Sequence, residues 1–417
     1  MTPPPPSVDP LLNMSAAELA AAVNGGEVSA VAVVEATLAR IEADRAGNAF
    51  ITVCADEAIA RARANPMGPL AGVPLAVKDL FDTAGVRTTA GSRILATNVP
   101  RRTAPAVARL EAAGAIVVGK TNMHEFAWGV TSQNPHWGGV ANPALPGRVA
   151  GGSSGGTAAA LADHQATIGL GTDTGGSIRI PSACCGTVGF KPAYGSIPVR
   201  GVFPLAPSFD TVGPMARTVA DVALVESVLT GRPPATPGVA GLRVGVLELT
   251  GIERALRDLG ARLDPAELPE PDPDLMAAFS AECAATHIRW FPSRRDEYGP
   301  DLQMKLDSAQ RVTAVQWQRG LAAVRALRRS ARRALPFDLL VSPVMSIEPP
   351  PDDCWEPDVR AAMTVWTRPF NFLGWPAIAI GGIQIAGRSR DAVLGGALAL
   401  EEAGVVARPQ AAPGSGG

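Results

Sequence analysis

Histidine is scarce in this chain; there are four, His124, His136, His164 and His287. That scarcity leaves a zinc hydrolase or a Ser-His-Asp hydrolase short of parts. Cysteine offers no substitute framework. Cys54, Cys184, Cys185, Cys283 and Cys354 form no CxxC pair and no metal-spaced set, and read as reduced, mostly buried thiols. No run of 18 apolar residues occurs, which argues against a membrane-spanning helix. Neither sign of charge dominates: a net charge of −2 and a pI near 6.2 give no electrostatic reason to expect nucleic acid or a lipid surface. The proline run from Met1 to Ser7 has no basic n-region and no apolar h-region, so no secretory leader is expected and the cytoplasm is the default location.

What remains is a globular balance, 47% hydrophobic and 18% charged over 417 residues. Ser29 is placed to cap a helix carrying Val31, Val34, Leu38 and Ile41. Leu75-Ala76-Val77 reads as a short buried strand ending at Lys78. Pro105 opens a helix that Gly114 closes, and Ala115–Val118 follows as a strand. Thr218 and Asp221 begin another helix, and Leu242–Leu247 returns to strand. A long helical stretch is expected from Leu302 to Leu335, with Arg325, Arg328, Arg329, Arg332 and Arg333 on a solvated face near its end. Gly381-Gly382 joins two β-rich runs as a tight hairpin. Helices alternating with apolar strands indicate an α/β fold.

Two glycine-rich loops carry the chemistry: Gly151-Gly152-Ser153-Ser154-Gly155-Gly156 and Gly171-Thr172-Asp173-Thr174-Gly175-Gly176-Ser177. Neither is followed by Gly-Lys-Ser/Thr, and the dinucleotide spacing fails, so phosphate binding has little support. Gly151-x-Ser153-x-Gly155 formally fits a nucleophile elbow, but no histidine follows His287 to complete that triad. A third reading uses both loops. A serine hydroxyl needs a base, and a lysine buried enough to lose its proton near neutrality can supply one. Lys78, bordered by Leu75, Val77, Leu80 and Phe81, suits that role. The residues alone leave Ser153, Ser154 and Ser177 open as nucleophile. The backbone amides of Thr174, Gly175 and Gly176, extending to Ser177, are candidates for an oxyanion hole.

The chain resembles the amidase signature family from about Ser15 to Glu401. The resemblance is carried by Gly72–Asp79, by Gly119–Phe126, by the Gly151–Gly156 loop, and by Gly171–Pro181 continuing through Cys185-Gly186 to Gly189–Pro192. It implies one large domain over residues 15–405, with a mixed, mostly central β-sheet covered by helices on both faces. Residues 1–14 then form a flexible start and 406–417 a disordered tail. It implies Ser177 as nucleophile, Ser153, which lies 24 residues earlier, as the middle serine, and Lys78 as the base. It further implies a cis peptide between Gly152 and Ser153, and Asp173 paired with Arg179 to brace the loop. Ala127, Trp128 and Gly129 would line the acyl side, with Ser154 supporting the relay. No metal or cofactor is expected.

The expected reaction is acyl transfer from a carboxamide-type C–N bond through a Ser177 acyl-enzyme, with aryl amide, ester or carbamate (urethane) substrates in range. The expected assembly is a monomer or homodimer acting on a small molecule, with no nucleic acid or membrane partner. Two alternatives stand beside it: the glutamine-hydrolysing A subunit of a tRNA-dependent amidotransferase, and a non-catalytic binding protein on the same fold. The second half is short for the family, compressed between Leu249 and Phe279, which suggests an open cleft and argues against the amidotransferase.

Overall fold

The computed structural model describes residues 8–270 and 272–406. The C-terminal tail beyond Val406 and the first seven residues of the proline-rich start lie outside the described residues, as does the side chain of Arg332. From residue 8 the start is docked: Pro10–Asn13 makes a helical turn, Leu12 is buried, and its carbonyl accepts from Arg217 Nη2 at 2.9 Å.

The strands of the first half are β1 (Phe50–Val53), β2 (Pro74–Lys78), β3 (Ile116–Thr121), β4 (Gln133–Asn134), β5 (Gly138–Gly139), β6 (Ile168–Asp173), β7 (Val188–Lys191) and β8 (Thr211–Ala216). The second half adds β9 (Arg243–Val246), β10 (Arg262–Pro265), β11 (Leu339–Pro343), β12 (Ala377–Ile380) and β13 (Ile383–Gly387). Eleven of them form one sheet in the order β1-β3-β2-β6-β8-β7-β12-β13-β11-β9-β10, while β4 and β5 pair separately. The sheet is mixed. β3, β2 and β6 run parallel, as do β11, β9 and β10, and the intervening pairs are antiparallel. Helices flank it, which is the expected α/β architecture in a single domain.

The central strands are buried on both faces, so β2 and β3 read as apolar runs rather than alternating ones. Parallel β2 and β6 pair Val77 with Leu170, so their carboxyl ends, carrying Lys78 and Thr172, emerge side by side. In open α/β sheets that edge is where ligands are held. Gly169 lets the helix Gly155–Ala162 close onto β6: a Cβ there would stand 2.4 Å from Thr157 Cγ2.

Several local expectations match the structure. Ser29 Oγ accepts from Ala32 N at 3.1 Å and caps the helix Ala30–Ala43. Thr218 caps Val219–Thr230, and Pro105 opens Pro105–Ala112. Gly381-Gly382 turns β12 into β13. Cys54, Cys184, Cys185 and Cys283 are free and buried, and Cys354 is half-buried.

The long helical stretch is not continuous. It divides into Pro300–Ala309 and Ala314–Ala334, because Thr313 and Gln316 make a reciprocal capping box that restarts the helix. Nor do all its arginines face solvent. Arg325, Arg329 and Arg333 do, but Arg328 donates to Phe372 O (2.9 Å) and Ser208 O (3.0 Å) and lies 4.8 Å over the Tyr194 ring. It ties that helix to the short helix Arg368–Leu373 and to the loop at Ser208. Among the described residues no helix is long and apolar enough to cross a membrane.

Candidate functional site

Lys78 closes β2 with no exposed surface. Its Nζ donates to Ser153 Oγ at 2.7 Å and to Thr172 Oγ1 at 2.8 Å. Burial disfavours the ammonium form, and although the charges of Asp173 and Asp210 work the other way, the pKa falls to about 7. A lysine half-neutral at physiological pH and hydrogen-bonded to a serine is a competent proton acceptor.

The two glycine-rich loops meet here. The peptide between Gly152 and Ser153 is cis. Ser154 N donates to Ser177 O at 3.2 Å, stitching one loop to the other, and Ser154 Oγ reaches Thr172 O at 3.4 Å. Ser154 is thus a buried structural link. Ser177 is 7% exposed, and its hydroxyl makes no hydrogen bond among the described residues.

Asp173, the last residue of β6, organises the second loop. Its carboxylate takes Arg179 Nε (2.9 Å) and Nη2 (2.8 Å) as a two-point pair with both side chains fully buried. Burial alone would raise the Asp173 pKa, but the Arg179 charge and hydrogen bonds, joined by Lys191 and Asn371, hold it well below the usual carboxylate range. The same carboxylate accepts from Gly176 N at 2.8 Å and Ile178 N at 3.3 Å. This corrects one expectation: the Gly176 N–H is turned into its own Asp173 and is spent there. The amides of Thr174, Gly175 and Ser177 make no hydrogen bond among the described residues and remain available.

Gly176 is held at φ +132°, and a Cβ there would stand 2.4 Å from Thr367 Oγ1 and 2.6 Å from Ile180 Cδ1. Gly176→Ala should therefore cost stability, about 1–3 kcal/mol by the usual scale of backbone strain. Chemical denaturation measures this directly, and a midpoint equal to wild type would refute the packing argument.

Much of the support comes from residues that sequence reasoning missed. Asn371 Nδ2 donates to Asp173 Oδ1 (2.8 Å) and Asp173 O (3.1 Å), while its Oδ1 accepts from Arg179 Nη2 at 2.7 Å. Arg179 Nη1 reaches Gln384 Oε1 (2.5 Å) and Thr367 O (2.9 Å). Thr367 Oγ1 in turn donates to Gly175 O at 2.8 Å. Asp210, whose carboxyl is pushed up by burial, accepts from Thr174 Oγ1 at 2.7 Å. A signal was available for two of these. Asn371 and Gln384 are lone polar residues inside apolar runs, where a buried amide needs partners.

The expected acyl-side residues separate. Ala127 lines a cavity of about 160 Å³ together with Thr172, Thr174, Leu205, Asp210 and Val212. Trp128 is 4% exposed, its ring meets Phe279 edge-on at 6.2 Å, and its carbonyl accepts from Lys305 Nζ at 2.7 Å. Gly129 packs against the His124 ring, 2.2 Å from where its Cβ would be. Neither Trp128 nor Gly129 lines that cavity. His287 also sits in an aromatic cluster, with burial lowering its pKa to about 4.

A family model described as Amidase matches residues 32–244, a little over half the chain. The chain belongs to the amidase (amidase signature) family. Among curated proteins it is 40% identical to the A subunit of glutamyl-tRNA(Gln) amidotransferase from Streptomyces avermitilis, over 67% of this chain and 64% of that protein. It is 35% identical to the AtzE subunit of 1-carboxybiuret hydrolase from Pseudomonas sp. (strain ADP), over 88% of this chain and 90% of that one. A solved structure described as an amidase superposes with a TM-score of 0.86 at 32% identity, covering 94% of this chain and 99% of that one. The chain thus spans slightly less than two thirds of the length of the first of these relatives.

Proposed function

We propose that this protein hydrolyses a carboxamide-type C–N bond through an acyl-enzyme on Ser177. The observation carrying the reading is the fully buried Lys78 Nζ at 2.7 Å from Ser153 Oγ, with its pKa lowered to about 7. Neutral Lys78 takes the Ser153 proton as Ser153 takes that of Ser177, which attacks the carbonyl carbon. Negative charge on the carbonyl oxygen is met by the amides of Thr174, Gly175 and Ser177. The relay then reverses: the proton passes to the leaving nitrogen, the C–N bond breaks, and water releases the acid.

The reading is tested by a panel of aryl amides, aliphatic amides, esters and carbamates, with a fluorophosphonate probe mapped by mass spectrometry. Turnover and labelling of the Ser177 peptide are expected. Turnover of small aliphatic amides alone would sink the open-cleft idea drawn from the short second half. A second prediction concerns pH. The reactive form has neutral Lys78, so kcat/KM should rise with pH through about 7 and level off above it. A flat profile from pH 5.5 to 8.5 would remove lysine as the base.

One further reading is favoured by the 40% identity to the A chain of an amidotransferase: this chain supplies ammonia from glutamine to a partner protein. Glutaminase activity that appears only on adding partner proteins would support it; full amide hydrolysis by the purified chain favours the stand-alone enzyme. A binding protein without catalysis would leave Ser177 unlabelled.

A further inference from the structure

A groove of about 860 Å³ lies between residues 266–270 and 272–276 on one side and the turn and helix 364–373 on the other. Its volume is that of a small-molecule site. Most of its wall is apolar, including Leu268, Leu275, Met276, Trp366 and Phe372. Among the described residues one cation lines it, Arg368. The guanidinium is positioned by Thr364 Oγ1 and by Met276 Sδ at 3.9 Å, which are both groove residues.

Arg368 makes no ion pair among the described residues. The neighbouring carboxylate of Glu356 is already engaged by Lys305 Nζ at 2.6 Å and Arg360 Nη1 at 3.8 Å. Burial and the charge of Arg360 bring the guanidinium pKa down to about 10, which still leaves it a cation at neutral pH. A partly desolvated cation with two neutral partners and no carboxylate retains unused capacity for one, which it can hold by two parallel N–H···O bonds. Glu267, Glu270 and Asp272 also line the groove, but they are exposed, so solvent screens them more than it screens Arg368.

We propose that this groove is a binding site for an apolar monocarboxylate, with the hydrocarbon against Leu268, Met276 and Phe372 and the carboxylate on Arg368. The acidic rim favours one negative charge over two. This site is separate from the reading of Ser177 as nucleophile, and its occupancy is measured without turnover. Thr364 and Arg368 flank Thr367, whose hydroxyl holds the Gly175 carbonyl, so the groove and the Ser177 loop share one turn of chain.

The test is calorimetric titration of the full chain with sodium 4-phenylbutyrate, compared with 4-phenylbutan-1-ol. Saturable binding of the acid is expected, with the alcohol weaker by about tenfold or more, the scale of a lost charge-assisted pair. Arg368→Leu should weaken the acid to the level of the alcohol, and Arg368→Lys should recover part of the difference. Leu268→Trp, which fills the other wall and leaves the cation in place, should abolish binding of both even where Arg368→Leu folds poorly. Ser177→Ala should bind as wild type does. No saturable binding to wild type, equal binding of acid and alcohol, or binding unchanged by Leu268→Trp would each overturn the proposal.

Discussion

Ser177→Ala should reduce amide hydrolysis by at least ~10⁴-fold while leaving the unfolding midpoint nearly unchanged. The scale follows from the relay. Lys78 and Ser153 act only by delivering the proton of a nucleophile, so without that oxygen the remaining binding and charge stabilisation are all that is left. Stability should hold because the Ser177 hydroxyl makes no hydrogen bond among the described residues. Its removal orphans no partner. The measurement is a steady-state rate for the best substrate in the panel, beside a urea titration. Activity within tenfold of wild type would overturn Ser177 as nucleophile and redirect attention to Ser153. Labelling by a fluorophosphonate should disappear in the same variant, which separates a lost nucleophile from a lost substrate.

Asp173→Ala should be the most damaging single change to the fold around the site, at about 3–5 kcal/mol, the range for breaking one side of a buried ion pair. The loss is not the attraction alone. Arg179 would stay fully buried with its charge balanced only by neutral acceptors, Gln384 Oε1, Asn371 Oδ1 and Thr367 O. The Gly176 N–H would lose its acceptor as well. Thermal and denaturant unfolding both read this, and a change below 1 kcal/mol would show that the pair is not a keystone. The acid side offers an independent check. Asp173 has its pKa depressed in the folded state, so its stabilisation is complete above the unfolded carboxylate range near 4 and is lost as pH falls through the lower folded value. Wild type should therefore lose stability on acidification in that window by a component that the variant lacks.

What can be read from the sequence divides by distance along the chain. Lys78 at the end of an apolar strand, the paired glycine-rich loops and the scarcity of histidine are enough to point to a lysine-dependent serine mechanism. The order of the serines comes from resemblance, because residue type alone does not distinguish Ser153 from Ser154. Hydrogen bonding does: Ser153 faces Lys78, and Ser154 faces the backbone of β6. The split of the stretch 302–335 is hidden because helical periodicity runs across the break. The Thr313–Gln316 capping box is nonetheless present in the sequence. Trp128 and Gly129 are placed by analogy, and their positions depend on Phe279, Lys305 and His124, contacts that no local pattern encodes. Arg328 departs from its expected solvated face for the same reason, since its partners at Ser208 and Phe372 are remote in sequence.

The cluster around Arg179 bears on how far this site could be moved to another protein. Lys78, Ser153, Ser177 and Arg179 all fall within residues 32–244, the part that the family model recognises. Asp173, which balances the Arg179 charge, lies there too, but the neutral acceptors that complete the hydrogen bonding of Arg179, at Thr367, Asn371 and Gln384, all lie outside it. A fragment ending near residue 244 would carry every proposed reacting group and the Asp173–Arg179 pair, but would leave the outer guanidinium N–H groups without their neutral acceptors. The later half of the chain is thereby tethered, through the Thr367 carbonyl and the side chains of Asn371 and Gln384, to chemistry encoded about two hundred residues earlier.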